Sequence, residues 1–269
     1  MTNLKGKVAL VTGASRGIGK GIALALGEQG CTVYITGRTT GKGDLTINTT
    51  ATQVDEAGGI GKAIQCDHGD DKQIAAVLQT IEEECGHLDI LVNNVYKIPS
   101  PPAFSGGFWE HPISIWDDQV GIGLRSHYVA SWHAAKLLFA ATSEAAIVNI
   151  SSPGGLQYAY SSSYGAGKAG LDRLTADMAI ELKPKGVTAI SLYPGMVSTE
   201  FQVAFAEAQG LNLSEAQTPL FVGRCLSALL QSGTAMDRTG SIQWVHALGE
   251  EFSVLDENGR RPNQGMPGS

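Results

Sequence analysis

Along the chain, short runs that are apolar at nearly every position alternate with longer stretches in which apolar residues recur every three or four positions. The runs "KVALVT" (7–12), "TVYIT" (32–36), "LDILVNN" (88–94), "AIVNIS" (146–151) and "VTAISLYP" (187–194) are rich in β-branched residues. They lack a regular polar alternation, which predicts strands buried on both faces. "KAIQC" (62–66) and "SIQWVH" (241–246) fit the same pattern less fully. Helical periodicity covers 17–29, 70–85, 113–141, 163–183 and 214–232. Strands spaced by helices pair in parallel, so the pattern predicts an α/β fold, a doubly wound sheet of about seven strands with helices on both faces. No repeat or compositional break divides it, and 1–269 reads as a single domain. "GRTTGKGDLTINTT" (37–50) and "KIPSPPAFSGGFWEHP" (97–112) read as loops, and the polar stretch 258–269 as a flexible tail.

Composition narrows the function classes. The net charge is −7 with no basic block, which argues against nucleic acid or an anionic membrane as partner. No apolar run reaches the ~20 residues of a membrane helix. "MTNLKGKVAL" has no signal-like apolar core, so a cytoplasmic protein is expected. Cys31, Cys66, Cys85 and Cys225 are scattered without CxxC spacing, which suits a reducing compartment. The six histidines form no metal-binding spacing such as HExxH, so no metal is expected.

The first strand runs into "VTGASRGIGKGIALAL", with glycines at 13, 17 and 19 before a helix. In a doubly wound sheet, this first strand–turn–helix is where a dinucleotide lays its pyrophosphate on the helix N-terminus. The architecture is then Rossmann-type. A carboxylate at the end of the second strand would take the ribose 2′-hydroxyl of NAD, whereas arginine there accommodates the 2′-phosphate of NADP. That strand ends "YITGR", placing Arg38 at the position, and Arg16 adds a second guanidinium from the glycine turn. The cofactor expected is NADP(H).

"SYGAGKAG" places Tyr164 one helical turn before Lys168, on one face. A phenol is a poor proton-transfer group near neutral pH, and a neighbouring ammonium favours its ionised form. With "NNVY" after the fourth strand and "ISS" after the fifth, the chain resembles the short-chain dehydrogenase/reductase family over nearly its whole length. "VYITGR", "FWEHPISIWDD", "GLRSHY" and "ENGRRP" resemble its dehydrogenase/reductase member 1 branch.

The resemblance implies that Tyr164 is the general acid that protonates a carbonyl oxygen during hydride transfer, with Lys168 lowering its pKa and holding the nicotinamide ribose. It implies a serine bonded to the same oxygen; Ser152 is preferred and Ser151 competes. Carried over residue by residue, Gly13, Ser15, Arg16, Gly17, Ile18 and Gly19 form the pyrophosphate and adenosine-ribose turn, and Arg38 meets the 2′-phosphate. Asp67 meets the adenine and Asn94 a ribose, unless these are only a turn residue and a strand-end cap. Pro194, Gly195, Val197 and Thr199 lie along the nicotinamide, and 200–232 forms a substrate lid. The family implies a homodimer or homotetramer built on helices 113–141 and 163–183.

Three positions depart from the family. Gly123 stands where an asparagine is usual, and with Gly121 predicts a kinked helix in which a water relay to Lys168 survives on backbone alone. Val95 and Tyr96 replace the small pair of "NNAG", and with Phe104, Phe108, Trp109 and Tyr158 suggest an apolar or ring-shaped carbonyl substrate. Two functions fit: an NADP(H)-dependent carbonyl reductase or alcohol dehydrogenase, and a non-catalytic NADP(H)-binding sensor on the same fold.

Overall fold

The computed structural model describes residues 3–100, 102, 106–257 and 259–262. Phe104 and most of the 258–269 tail lie outside the described residues. The strands are β1 (Val8–Val11), β2 (Thr32–Gly37), β3 (Ile60–Gln65), β4 (Ile90–Asn93), β5 (Ala145–Ile150), β6 (Val187–Tyr193) and β7 (Ile242–Trp244). They form one parallel sheet in the order β3-β2-β1-β4-β5-β6-β7. The chain builds outward from β1 to β3, then crosses back to lay β4 on the other side of β1. That reversal leaves a crevice beyond the carboxyl ends of β1 and β4, the position at which such sheets bind ligands.

Alternate strand residues feed two cores. Ala9, Val11, Val33 and Val92 face α1 (Gly17–Glu28), α2 (Ile47–Glu56) and α8 (Pro219–Gln231). Leu10, Tyr34, Leu91 and Ile147 face α3 (Asp71–Cys85), α5 (Ser126–Phe139) and α6 (Ser162–Leu182). The strand runs lack polar alternation because neither face meets water. Ile22, Leu26 and Phe221 are fully buried, each stabilising the fold by about 1.5–3 kcal/mol. The sheet is the Rossmann-type, single-domain fold that the periodicity predicts.

Several elements differ from the sequence reading. α2 begins at Ile47, inside the stretch read as a loop, because Ile47, Ala51 and Val54 bury one face and Thr46 caps its start by accepting from Thr49 N–H at 3.1 Å. Its threonines mask the period. α7 (Glu200–Gln209) and α9 (Val245–Glu251) are also additional. Of the 200–232 segment, α8 belongs to the core, with Val222, Cys225, Leu226 and Leu229 buried; α7 alone stands over the crevice. The helix over 113–141 is α4 (Ser114–Trp116), a π-helical stretch Asp117–Arg125, and α5. The two glycines thus widen the helix rather than break it: the Ser126 amide reaches five residues back to the Gly121 carbonyl. Among the described residues, no helix is long and apolar enough to cross a membrane, and no group of three or more His, Cys, Asp or Glu could hold a metal.

Candidate active site

β1 and β4 end side by side and are tied together there. Thr12 Oγ1 accepts from the Asn94 and Val95 amides at 2.9 and 3.1 Å. The Asn94 side chain donates back to the Thr12 and Gly13 carbonyls at 2.8 and 3.1 Å. Asn94 is therefore a strut between two strand ends as well as a cavity wall. Gly13 (φ 65°) and Gly17 (φ 58°) take the left-handed backbone that turns the chain into α1. Gly19 serves packing: a Cβ there would lie 2.3 Å from Asn94 Nδ2, so only glycine lets α1 rest on this loop.

Arg16, at the N-cap of α1, makes no side-chain cap bond to the helix start. Unpaired N–H groups at a helix start carry partial positive charge and attract anions. Here the Gly17 N–H donates to Glu200 Oε2 of α7 at 2.9 Å. A carboxylate accepting from this amide is the class of charge that a helix start attracts.

Beyond β5 the chain continues as Ser151 and Ser152, and α6 packs its first turns against them. Ser161 caps α6, its Oγ accepting from the Tyr164 amide at 3.2 Å. The one-turn spacing then sets Tyr164 and Lys168 on the same inward face. Tyr164 and Ser152 share a hydrogen bond of 2.7 Å between hydroxyl oxygens. Ser151 is buried and turned away, its Oγ donating to the Lys168 carbonyl at 3.4 Å. The geometry thus brings Ser152, not Ser151, to the phenol.

Lys168 is buried and donates from Nζ to the Ile150 carbonyl at 2.9 Å. Burial pulls its ammonium down to about 8, with the Asp172 carboxylate pulling the other way. Burial pushes the Tyr164 phenol up to about 12, against a smaller lowering from the Ser152 hydrogen bond and with a rise from Tyr160. Burial, rather than the Lys168 ammonium, governs the direction of the phenol's shift. The ammonium is held by a backbone carbonyl, 5.9 Å from the Tyr164 ring centre, and desolvation outweighs it.

These groups share a cavity of about 600 Å³. Gly13, Arg16, Gly17 and Ile18 line one end, with Ser152, Tyr164 and Lys168 at the other. Pro194, Gly195, Val197 and Thr199 form the wall beyond β6, and Thr199 also caps α7 by accepting from the Gln202 amide. Four expected residues do not line it. Ser15 is buried in the turn and Gly19 packs on Asn94. Arg38 is exposed at the end of β2, and Asp67 follows β3, its Oδ1 accepting from the Gly69 amide. Arg16 reaches toward Arg38's end of the sheet, donating to Thr39 Oγ1 at 3.3 Å.

Several lining residues escaped the sequence reading. Ile98, Met196 and Phe201 give the outer cavity an apolar wall with Tyr96 and Tyr158. Tyr160, in a left-handed backbone (φ 61°), meets Tyr164 edge-on at 5.1 Å. It lies before the helix cap, where periodicity carries no signal. Phe108 and Trp109 stand outside this cavity, largely exposed, and line a smaller hollow shared with Tyr158.

The family model described as short chain dehydrogenase matches residues 7–210. The chain is 38% identical to dehydrogenase/reductase SDR family member 1 of Mus musculus, over 96% of this chain and 85% of the relative. It is 37% identical to the Homo sapiens protein of that name over the same shares. A short chain dehydrogenase of Mycobacterium thermoresistibile superposes with a TM-score of 0.81 at 25% identity, covering 99% of this chain and 93% of that one. A short-chain type dehydrogenase/reductase of Mycobacterium marinum gives 0.77 at 26%, covering 90% and 94%. Matches of this reach show that the chain belongs to the short-chain dehydrogenase/reductase family, whose members are oxidoreductases using nicotinamide cofactors.

Proposed function

We propose that the protein interconverts an apolar carbonyl compound and its alcohol with NADP(H). The observation that carries this reading is the 2.7 Å pairing of Ser152 with Tyr164, beside buried Lys168, at one end of the cavity whose other end is the glycine turn. Gly13, Arg16, Gly17 and Ile18 would hold the pyrophosphate, with Asn94, Lys168 and the Pro194–Thr199 wall toward the nicotinamide end. Arg38 and Arg16 would meet a 2′-phosphate, since no carboxylate stands at the end of β2. When bound, the cofactor supplies or accepts the hydride.

This chain's residues handle the proton. Ser152 donates to the carbonyl oxygen and orients it, and Tyr164 protonates that oxygen as negative charge builds there. A phenol at about 12 stays protonated at neutral pH and is still far more acidic than the alcohol being formed. Ile98, Met196, Phe201 and the tyrosines exclude water from the reacting carbon and favour an apolar substrate. The test is NADPH absorbance against a panel of ketones, aldehydes and quinones, with Tyr164→Phe in parallel. Consumption that depends on Tyr164 supports an enzyme; cofactor binding without it supports the sensor.

Glu200 sets the cost of entry for the cofactor. Its carboxylate and a pyrophosphate claim the same N–H group, so one leaves when the other arrives. Glu200→Gln is expected to tighten NADPH binding about two- to fivefold, the range for a charge at a helix terminus. A fluorescence titration checks it, and unchanged or weaker binding refutes the competition. In this reading α7, whose first residue reaches the glycine turn, serves as the lid.

We also propose a homodimer or homotetramer assembled through α5 and α6. Tyr128, Trp132 and Phe139 on α5 and Ile180 on α6 are large apolar side chains left exposed. Trp132→Glu is expected to shift the sedimentation coefficient to that of a smaller species; an unchanged value places the interface elsewhere. The free cysteines, with Cys31 and Cys66 thiols pushed up to about 12 by burial, suit a cytoplasmic setting.

A further inference from the structure

Tyr96 and Gly123 come from different segments and share one space. A Cβ on Gly123 would stand 3.1 Å from Tyr96 Cδ2 and 3.4 Å from Cε2, so the ring fills the volume a side chain at 123 would need. The face of that ring lies under Lys168, with Nζ 5.3 Å from the ring centre, within cation–π range. Its edge meets the Tyr164 ring at 5.9 Å and 87°. The Tyr96 hydroxyl pairs with Gln119, a buried side chain of the π-helical stretch. Gln119 Oε1 in turn accepts from Ser161 Oγ at 3.0 Å and from Ser163 Oγ, at the start of α6. The ring is therefore clamped between the wide helical turns and the helix that carries Tyr164 and Lys168.

We propose that Tyr96 is a positioning residue: its ring face holds the Lys168 ammonium beside Tyr164, and Gly123 is the gap that admits the ring. This rests on the oxidoreductase reading for its kinetic consequence but not for its geometry. Lys168 meets other groups as well. Asp172 lies one turn on in α6 and accepts from the Tyr193 hydroxyl of β6. His127 of α5 bears on it electrostatically, and burial keeps that imidazole neutral down to about 3. Tyr164 and Tyr96 supply the aromatic faces. A Tyr96 substitution leaves the Asp172, Tyr193 and His127 side chains in the protein, so a shift at Lys168 reads the lost ring face.

The experiment compares Tyr96→Leu, Tyr96→Phe and Gly123→Val in the full-length protein. Leucine keeps the site dry but has no π face. It is expected to lower kcat/KM for a substrate found in the panel about tenfold, and to move the alkaline limb set by Lys168 down by up to about one pH unit. Phenylalanine restores both values, and Gly123→Val, which pushes the ring from behind, reproduces the leucine result. A ¹³C titration of the Lys168 side chain, assigned with Lys168→Met, reads the same shift without turnover. If no Tyr164-dependent turnover exists, the oxidoreductase reading falls and the titration alone decides this proposal. Equal loss in Tyr96→Leu and Tyr96→Phe, or a Lys168 titration unmoved by leucine, overturns it.

Discussion

Tyr164→Phe is expected to lower turnover by about a hundredfold to ten-thousandfold, the range for a lost general acid. That is about 3–5.5 kcal/mol of barrier. The ring stays packed against Tyr96 and Tyr160, and only the hydroxyl paired with Ser152 disappears. Stability and NADPH affinity should therefore hold within about twofold, while kcat collapses. Two pH limbs accompany the wild-type rate. For reduction, the acid is already protonated at every pH below about 12, so the limit is the Lys168 charge. The ammonium is present below about 8 and lost above it, so kcat/KM should be flat at neutral pH and fall above 8. Lys168→Arg, always charged, should remove that limb even at a lower ceiling. Alcohol oxidation needs the phenolate and should climb as pH rises toward 12. A Tyr164→Phe protein that keeps its rate would place the acid elsewhere.

Strand positions were legible because burial on both faces leaves an unmistakable apolar run, as in Val8–Val11 and Ala145–Ile150. α2 was not, since threonines carry its polar face and only three apolar residues mark the period. The paired glycines announced an irregular helix but not its form: the chain takes a π-helical widening there, with the Tyr96 ring in the space beside Gly123. At the site, spacing along one helix was enough to put Tyr164 and Lys168 together. Spacing could not say that Ser151 turns inward to the Lys168 carbonyl, because adjacent serines after a strand point to opposite sides. Nor could it find Glu200 on the glycine turn, a contact across 183 positions of sequence. The sign of the phenol's pKa shift depended on burial, which no motif encodes.

The protein should be acid-labile well before its carboxylates titrate. His127 is buried under the site, its Nε2 on the Val95 carbonyl at 2.9 Å. A carbonyl only accepts, so Nε2 carries the proton, and Nδ1 is buried without a partner among the described residues. His68 is likewise buried, its Nε2 on Thr36 Oγ1 at 2.8 Å. Burial lowers their pKa values from 6.5 to about 3 and about 4 respectively. Between those limits the unfolded chain binds protons that the folded one refuses, so stability falls as pH drops below 6.5. At pH 5 the loss is about 2 kcal/mol for each histidine relative to neutral pH. Denaturant midpoints should reveal it as a fall between pH 7 and pH 5, with little change between pH 7 and pH 8. His127→Gln keeps an amide donor for the Val95 carbonyl and removes one titration, so it should shrink the fall by about half. A midpoint constant from pH 7 to pH 5 would mean that water reaches both rings. Because the folded His127 imidazole stays neutral down to about 3, activity per folded molecule should hold across this window and decline only with the folded fraction.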